Sequence, residues 1–275
     1  MRTPIRFAIT VVLVAAASAG VWLALRPIEP VYEGKSLIVW AEQYGTNHFS
    51  YSGSHPGGKL EQEAQTAIRN IGTNAIPFFL EIMHTKPSPL RQRVIGFIPI
   101  EWEERFNLPT LIDYLNELNT RRGWGAAGIM ALGSEAKPAI PALLAMLKDS
   151  DPMMRVMAVL TFGELGPPAK VVLPDLIKCT NDSFGAVKMR VIISLGKIHE
   201  EPEKVVPILI RYLTDKNWNV RVYAVTSLGQ FGPEGKLAVP QIASLLNDQD
   251  FAVRGEATNA LKAIDLEAAA KAGVK

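Results

Sequence analysis

Residues 149–177 read DSDPMMRVMAVLTFGELGPPAKVVLPDLI, and residues 215–246 read DKNWNVRVYAVTSLGQFGPEGKLAVPQIASLL. The two segments superimpose column by column. Pro141, Pro174, Pro207 and Pro240 follow one another at intervals of 33, and Pro77 and Pro109 extend the series at intervals of 32. The same ruler carries a basic column (Arg122, Arg155, Lys188, Arg221, Arg254) and an acidic one (Asp149, Asp182, Asp215, Asp248). It also carries a small column (Ala158, Val191, Ala224, Ala257) and a large apolar column (Phe162, Leu195, Leu228, Leu261). Four columns in one register establish an internal repeat, which outranks any local assignment of structure.

Two helices are legible within a unit. Met154, Ala158, Phe162 and Leu165 form one helical stripe, and Gly166-Pro167 ends it. Val206, Leu209, Ile210 and Leu213 form the stripe of a second helix, as Leu173, Leu176 and Ile177 do one unit earlier. The recurrent proline falls in the first turn of this second helix, where a missing N–H is harmless. Neither helix can hide its stripe within the pair, so neighbouring pairs must stack.

The pattern D-x-x-x-x-x-R-x-x-A, then L-G, then P-x-L-x-x-L-L, resembles HEAT repeats, in particular the short HEAT-like units of the phycobilin-lyase type. The segments GKSLIVWAEQY, AIRNIGTNAIPFFLEIM and ALKAIDLEAAAKAGVK further resemble uncharacterised exported HEAT-repeat proteins of bacteria. The resemblance spans residues 60–265 and implies an all-α fold, an α-solenoid of stacked antiparallel helix pairs. About six units are expected, over 60–84, 88–119, 121–149, 151–182, 184–215 and 217–248, with a half-unit at 250–264 as cap and a tail at 266–275. The first two units depart from the pattern, since Gly72 to Pro77 is shorter than Gly133 to Pro141.

Upstream of the repeats, Phe7 to Leu25 is uncharged and flanked by Arg6 and Arg26. As a helix it would span about 28 Å, close to the thickness of a bilayer core. Residues 1–27 are therefore expected to act as a signal-anchor, with cleavage after Ala17-Ser18-Ala19 as the alternative. Arg2 and Arg6 hold the N-terminus in the cytoplasm and place the repeats on the periplasmic side, or in the medium after cleavage. Residues 28–59 read as a linker. It holds a short helix at 36–44, whose Leu37, Trp40, Ala41 and Tyr44 share a face that docks on the first unit, and a flexible loop at 45–59. His48, Phe49, Tyr51 and His55 make that loop an alternative binding element.

Function is less legible. The chain has 29 basic and 27 acidic side chains; setting aside Arg2, Arg6 and Arg26 leaves 26 basic residues, so no basic excess points to nucleic acid. A single cysteine, Cys179, excludes an intramolecular disulfide and multi-cysteine zinc sites. The acidic and basic columns recur in every unit, which points to a ladder in which carboxylates accept turn N–H groups and basic side chains bridge units. His199-Glu200 invites comparison with the iron-binding His-Glu dipeptides of HEAT-like deoxyhypusine hydroxylases. It stands alone, though, and His199 occupies the turn column of Gly133, Gly166 and Gly232. No catalytic set, metal site or cofactor is expected.

The expectation is a non-catalytic scaffold that binds a protein partner on its concave face. Lys178, Arg211 and Tyr212 on the second helices are the candidate binding residues, beside the columns Ala145, Ser244 and Met146, Cys179, Leu245. The alternative is an enzyme of the HEAT-like class, chromophore-lyase-like or metal-dependent.

Overall fold

The computed structural model describes residues 29–48, 58–97 and 110–274. The apolar segment expected at residues 7–25, most of the loop at 45–59 and Pro109 lie outside them. No helix among the described residues is long and apolar enough to cross a membrane.

The chain enters through a small antiparallel hairpin, β1 (Val31–Tyr32) and β2 (Lys35–Ser36), pairing Val31 with Ser36 and Tyr32 with Lys35. This departs from a purely helical expectation. Glu33 and Gly34, both at positive φ (48° and 75°), supply the two left-handed residues of a tight turn. α1 (Leu37–His48) follows at once, so the first four residues of the expected loop are helical. Leu37, Trp40, Ala41 and Tyr44 are all buried, as the stripe required. Burial pushes the Tyr44 phenol up to about 12. The hairpin is latched to this helix by the Trp40 indole N–H, which donates to the Tyr32 carbonyl at 3.1 Å. α1 packs on α2 (Lys59–Ile71) and on the long helix Leu111–Leu132.

After α2, the short segment Gly72–Ala75 leads into α3 (Ile76–Met83), with Pro77 in its first turn. α4 (Pro89–Gly96) comes next, and then α5 (Leu111–Leu132), a single helix of 22 residues. The sequence register put a unit boundary near residue 120, and the structure removes it. At three of the four later boundaries the helix-capping position holds Asp151, Asn217 or Asp250, whose side chains accept the N–H two residues on. At the fourth it holds Phe184, which caps nothing, and Asp182 alone makes the turn by accepting the Phe184 N–H. The equivalent position here is Leu118, which is buried, and residue 116 is Asn rather than Asp. With no turn former the helix runs through. Its start is fixed instead by a capping box between Thr110 and Asp113.

From α5 onward the pairs are regular. First helices α5, α7 (Pro152–Leu165), α9 (Gly185–Ile198), α11 (Trp218–Gln230) and α13 (Phe251–Ile264) pack on one another in order. Second helices α6 (Ile140–Met146), α8 (Leu173–Lys178), α10 (Pro202–Ile210) and α12 (Val239–Ser244) alternate with them. Ala158, Val191, Ala224 and Ala257 are fully buried, and so are Phe162, Leu195, Leu228 and Leu261. The expected tail is also helical: Asp265 caps α14 (Leu266–Lys271) and Ala269 is buried.

A further column lies between the first helices. A Cβ on Gly163 would stand 2.5 Å from the Ser194 hydroxyl and 3.0 Å from its Cα; one on Gly196 would stand 2.7 Å from Ser227 Cβ; one on Gly229 would stand 3.2 Å from Ala260. Glycine against a small residue lets the backbones close up. The Ser194 hydroxyl then donates to the Val159 carbonyl at 2.9 Å, and Ser227 to Ile192 at 3.0 Å. α5 uses the same device toward α3, where Gly128 faces the Phe79 ring and Gly125 the Phe79 carbonyl.

The turns between paired helices are of two kinds. Gly133 and Gly166 take φ near 60° with ψ of −128° and −140°, a region open essentially to glycine, and short 3₁₀ segments follow. His199 takes φ 52° and ψ 45°, true left-handed helical geometry, and Glu201 does likewise. His199 therefore does not simply replace glycine. The 3₁₀ segment is lost, α10 begins early at Pro202, and Pro207 falls inside the helix rather than in its first turn.

Candidate partner-binding surface

Two strips of the solenoid carry repeated polar chemistry. Along the turns between units, each acidic residue folds back on its own turn: Asp149, Asp182, Asp215 and Asp248 accept the backbone N–H two residues on at 2.8–2.9 Å. Arg155 then grips Asp182 with both carboxylate oxygens engaged (2.8 and 2.9 Å) while its third nitrogen donates to the Asp149 carbonyl at 2.8 Å. Arg221 repeats the grip on Asp248 at 2.8 and 2.7 Å and holds the Asp215 carbonyl at 2.8 Å. Each clamp joins two turns and the helix between them. The guanidinium partners hold the Asp182 and Asp248 carboxyls below the usual carboxylate range.

Two rungs differ. Arg122, 2% exposed, reaches Asp151 at 2.8 Å and the Thr85 carbonyl at 2.9 Å rather than Asp149. Position 188 holds Lys, and among the described residues no basic side chain comes within ion-pair distance of Asp215.

The second strip lies on the second helices. Ala145, Lys178, Arg211 and Ser244 are exposed without exception, as are Pro141, Pro174, Pro207 and Pro240 four residues before them. These eight positions form a continuous stripe of rigid and short or basic side chains. Lys178 pairs with Asp175 on its own helix at 3.1 Å. The adjoining column behaves otherwise. Met146 and Leu245 are buried, and Cys179 and Tyr212 are half-buried. Tyr212 also fastens units together, its hydroxyl donating to the Thr180 carbonyl of the preceding unit at 3.2 Å. Burial raises the Cys179 thiol, against the thiolate character that reactivity requires.

The family profile described as HEAT repeats matches residues 173–239 and 207–272, and the one described as HEAT repeat matches 139–167. Over residues 139–167 and 173–272 the chain is thus similar to HEAT repeats. No curated protein matches the sequence. Two similar solved structures are both crystal structures of engineered proteins. One is 15% identical over 84% of this chain and 97% of that chain, with a TM-score of 0.46. The other is 17% identical over 88% and 72%, with a TM-score of 0.42.

Within this region His199 does a turn residue's work. Its ring meets the Phe231 ring edge-on at 4.9 Å and lies 3.6 Å from the Glu234 carboxylate. His84 bonds back to the Leu80 carbonyl of its own helix. Among the described residues no three His, Cys, Asp or Glu side chains converge as a metal site. Of the alternative binding loop, Phe49, Tyr51 and His55 lie outside the described residues.

The sequence signal for the exposed stripe was present, since the proline column marks it. What periodicity missed is that Tyr212 is long enough to bridge back to the previous unit.

Two outcomes follow from the ladder. Lys188→Arg supplies the missing clamp on Asp215 and should raise the urea midpoint at unchanged m-value, a stability gain of about 0.5–1 kcal/mol. For Asp182, a folded pKa below the unfolded value means stability that is complete above pH ~4 and lost as pH falls through the folded value. Asp182→Asn should therefore be less stable at pH 7, with a flatter fall below pH ~4 in acid-unfolding curves.

Proposed function

We propose that this chain is a non-catalytic scaffold that holds a protein partner against the stripe of its second helices. The carrying observation is that stripe itself, Pro141/Ala145, Pro174/Lys178, Pro207/Arg211 and Pro240/Ser244, exposed across four successive units. HEAT repeats favour this use because neighbouring units extend one surface indefinitely without enclosing a pocket. Prolines and helix-borne side chains start out ordered, so little freedom is lost on contact. Second helices line the concave side in solenoids of this kind, which puts the stripe on the inner face. Of the candidate residues, Arg211 and Lys178 face the partner, and Tyr212 sets the spacing of the helices that bear them.

The proposal places the repeats outside the cytoplasm, tethered by the uncharged run Phe7–Leu25 or freed by cleavage after Ala19. The resemblance to lyase-type HEAT units rests on unit length and pattern, and brings no chromophore chemistry with it.

Arg211→Glu should reduce recovery of the partner in affinity purification from native membranes and leave the melting midpoint within a degree or so of wild type. Leu228→Ala, which empties a fully buried site, should cost about 2–5 kcal/mol by the same assay. A drop for Arg211→Glu of the Leu228→Ala size would make residue 211 structural and defeat the proposal at that position.

A further inference from the structure

The turn edge of the solenoid carries a second surface, distinct from the second-helix stripe. Three observations meet there. The first is the vacant rung. Asp215 folds onto the Asn217 N–H at 2.8 Å just as Asp149, Asp182 and Asp248 fold onto theirs, so the same carboxylate receptor is built four times. Arg155 and Arg221 fill those at Asp182 and Asp248 bidentately. At Asp149 the column's arginine, Arg122, is buried and turns to Asp151, and at Asp215 the column holds only Lys188, whose ammonium makes no ion pair with a described acid. The second is aromatic exposure. Phe184, Trp218 and Phe251 stand at the starts of α9, α11 and α13 with 39%, 44% and 78% of their surface open. Each belongs to one turn of the edge, and Trp218 lies three residues beyond Asp215. The third is space beside Asp215: a groove of about 400 Å³ lies between the turns at Asp215 and Asp248, lined by Lys216 and Arg221 as well and by none of the three aromatics.

We propose that this edge docks an extended segment of a partner protein, one of whose arginines enters the vacant Asp215 receptor and stacks on Trp218. Arginine suits the site better than lysine, because the sister rungs show a bidentate fork on this carboxylate and a planar guanidinium also stacks on indole. The spacing agrees as well. Neighbouring helices lie about 10 Å apart, which is about one three-residue turn of polyproline-II chain at about 3.1 Å per residue, so that every third side chain shares a face. Side chains three before and three after the arginine then reach Phe184 and Phe251.

The test uses the full chain and labelled nine-residue peptides with leucine at the second and eighth positions and a central arginine, lysine or citrulline, read by fluorescence anisotropy. The arginine peptide should bind saturably, and citrulline should lose about tenfold or more. Asp215→Asn and Trp218→Ala should each weaken binding severalfold with little change in melting midpoint. Lys188→Arg should also weaken it, by filling the receptor from within, while the protein becomes more stable, so that misfolding cannot account for the loss. Arg211→Glu should leave peptide binding intact. No saturable binding, equal affinity for citrulline, or wild-type affinity in Asp215→Asn or Lys188→Arg would overturn the proposal. Loss in Arg211→Glu alone would return the peptide to the second-helix stripe.

Discussion

Close approach of successive first helices is the constraint on which the rest of this structure depends. Gly163, Gly196 and Gly229 each leave room for a small residue of the next unit, Ser194, Ser227 and Ala260. That contact brings the fully buried apolar columns into register and lets two serines hydrogen-bond to the carbonyls of the helix they lean on. A glycine inside a helix sacrifices roughly 0.5–1 kcal/mol of intrinsic propensity. Here packing returns it, because a Cβ at Gly196 would collide with atoms fixed to the neighbouring backbone.

The arginine–aspartate clamps act at a different level. They tie turn to turn at the edge with side chains only 8–14% exposed, so desolvation offsets much of their attraction and their contribution is smaller than that of the apolar seam. Their value is geometric: Arg155 and Arg221 each hold two turns at one spacing. Where the clamp is missing, at Lys188, Tyr212 still ties its unit to the one before through the Thr180 carbonyl. The solenoid thus tolerates the loss of one fastener, and a receptor that is not needed for stability is available for other use.

Much of the fold was legible in the sequence because helix pairs repeat on one ruler, and columns of Ala, Leu, Asp and Arg report burial and turn chemistry directly. The failures have local causes. Spacing alone puts a boundary near residue 120, but with Leu118 in place of a capping side chain and Asn116 in place of the turn aspartate α5 runs through. His199 was expected to stand in for glycine, but its ψ lies far from that of Gly133 and Gly166, and the following helix starts early as a result. The glycine column was equally visible at intervals of 33, yet glycine within a helix is ordinarily weighed as a breaker. For the binding surface, the exposed proline stripe could be foreseen, whereas the bridge from Tyr212 and the vacancy at Asp215 require knowing which side chains reach across units.

The seam is tested most directly by comparing two glycines of the first helices. Gly196 meets Ser227 and Gln230 at once, whereas nothing lies within 4 Å of a Cβ on Gly255. In urea unfolding at pH 7, Gly255→Ala should raise the midpoint through helix propensity and Gly196→Ala should lower it. If Gly196→Ala stabilises the protein as Gly255→Ala does, the first helices are not held by close approach and the account of the stack is wrong.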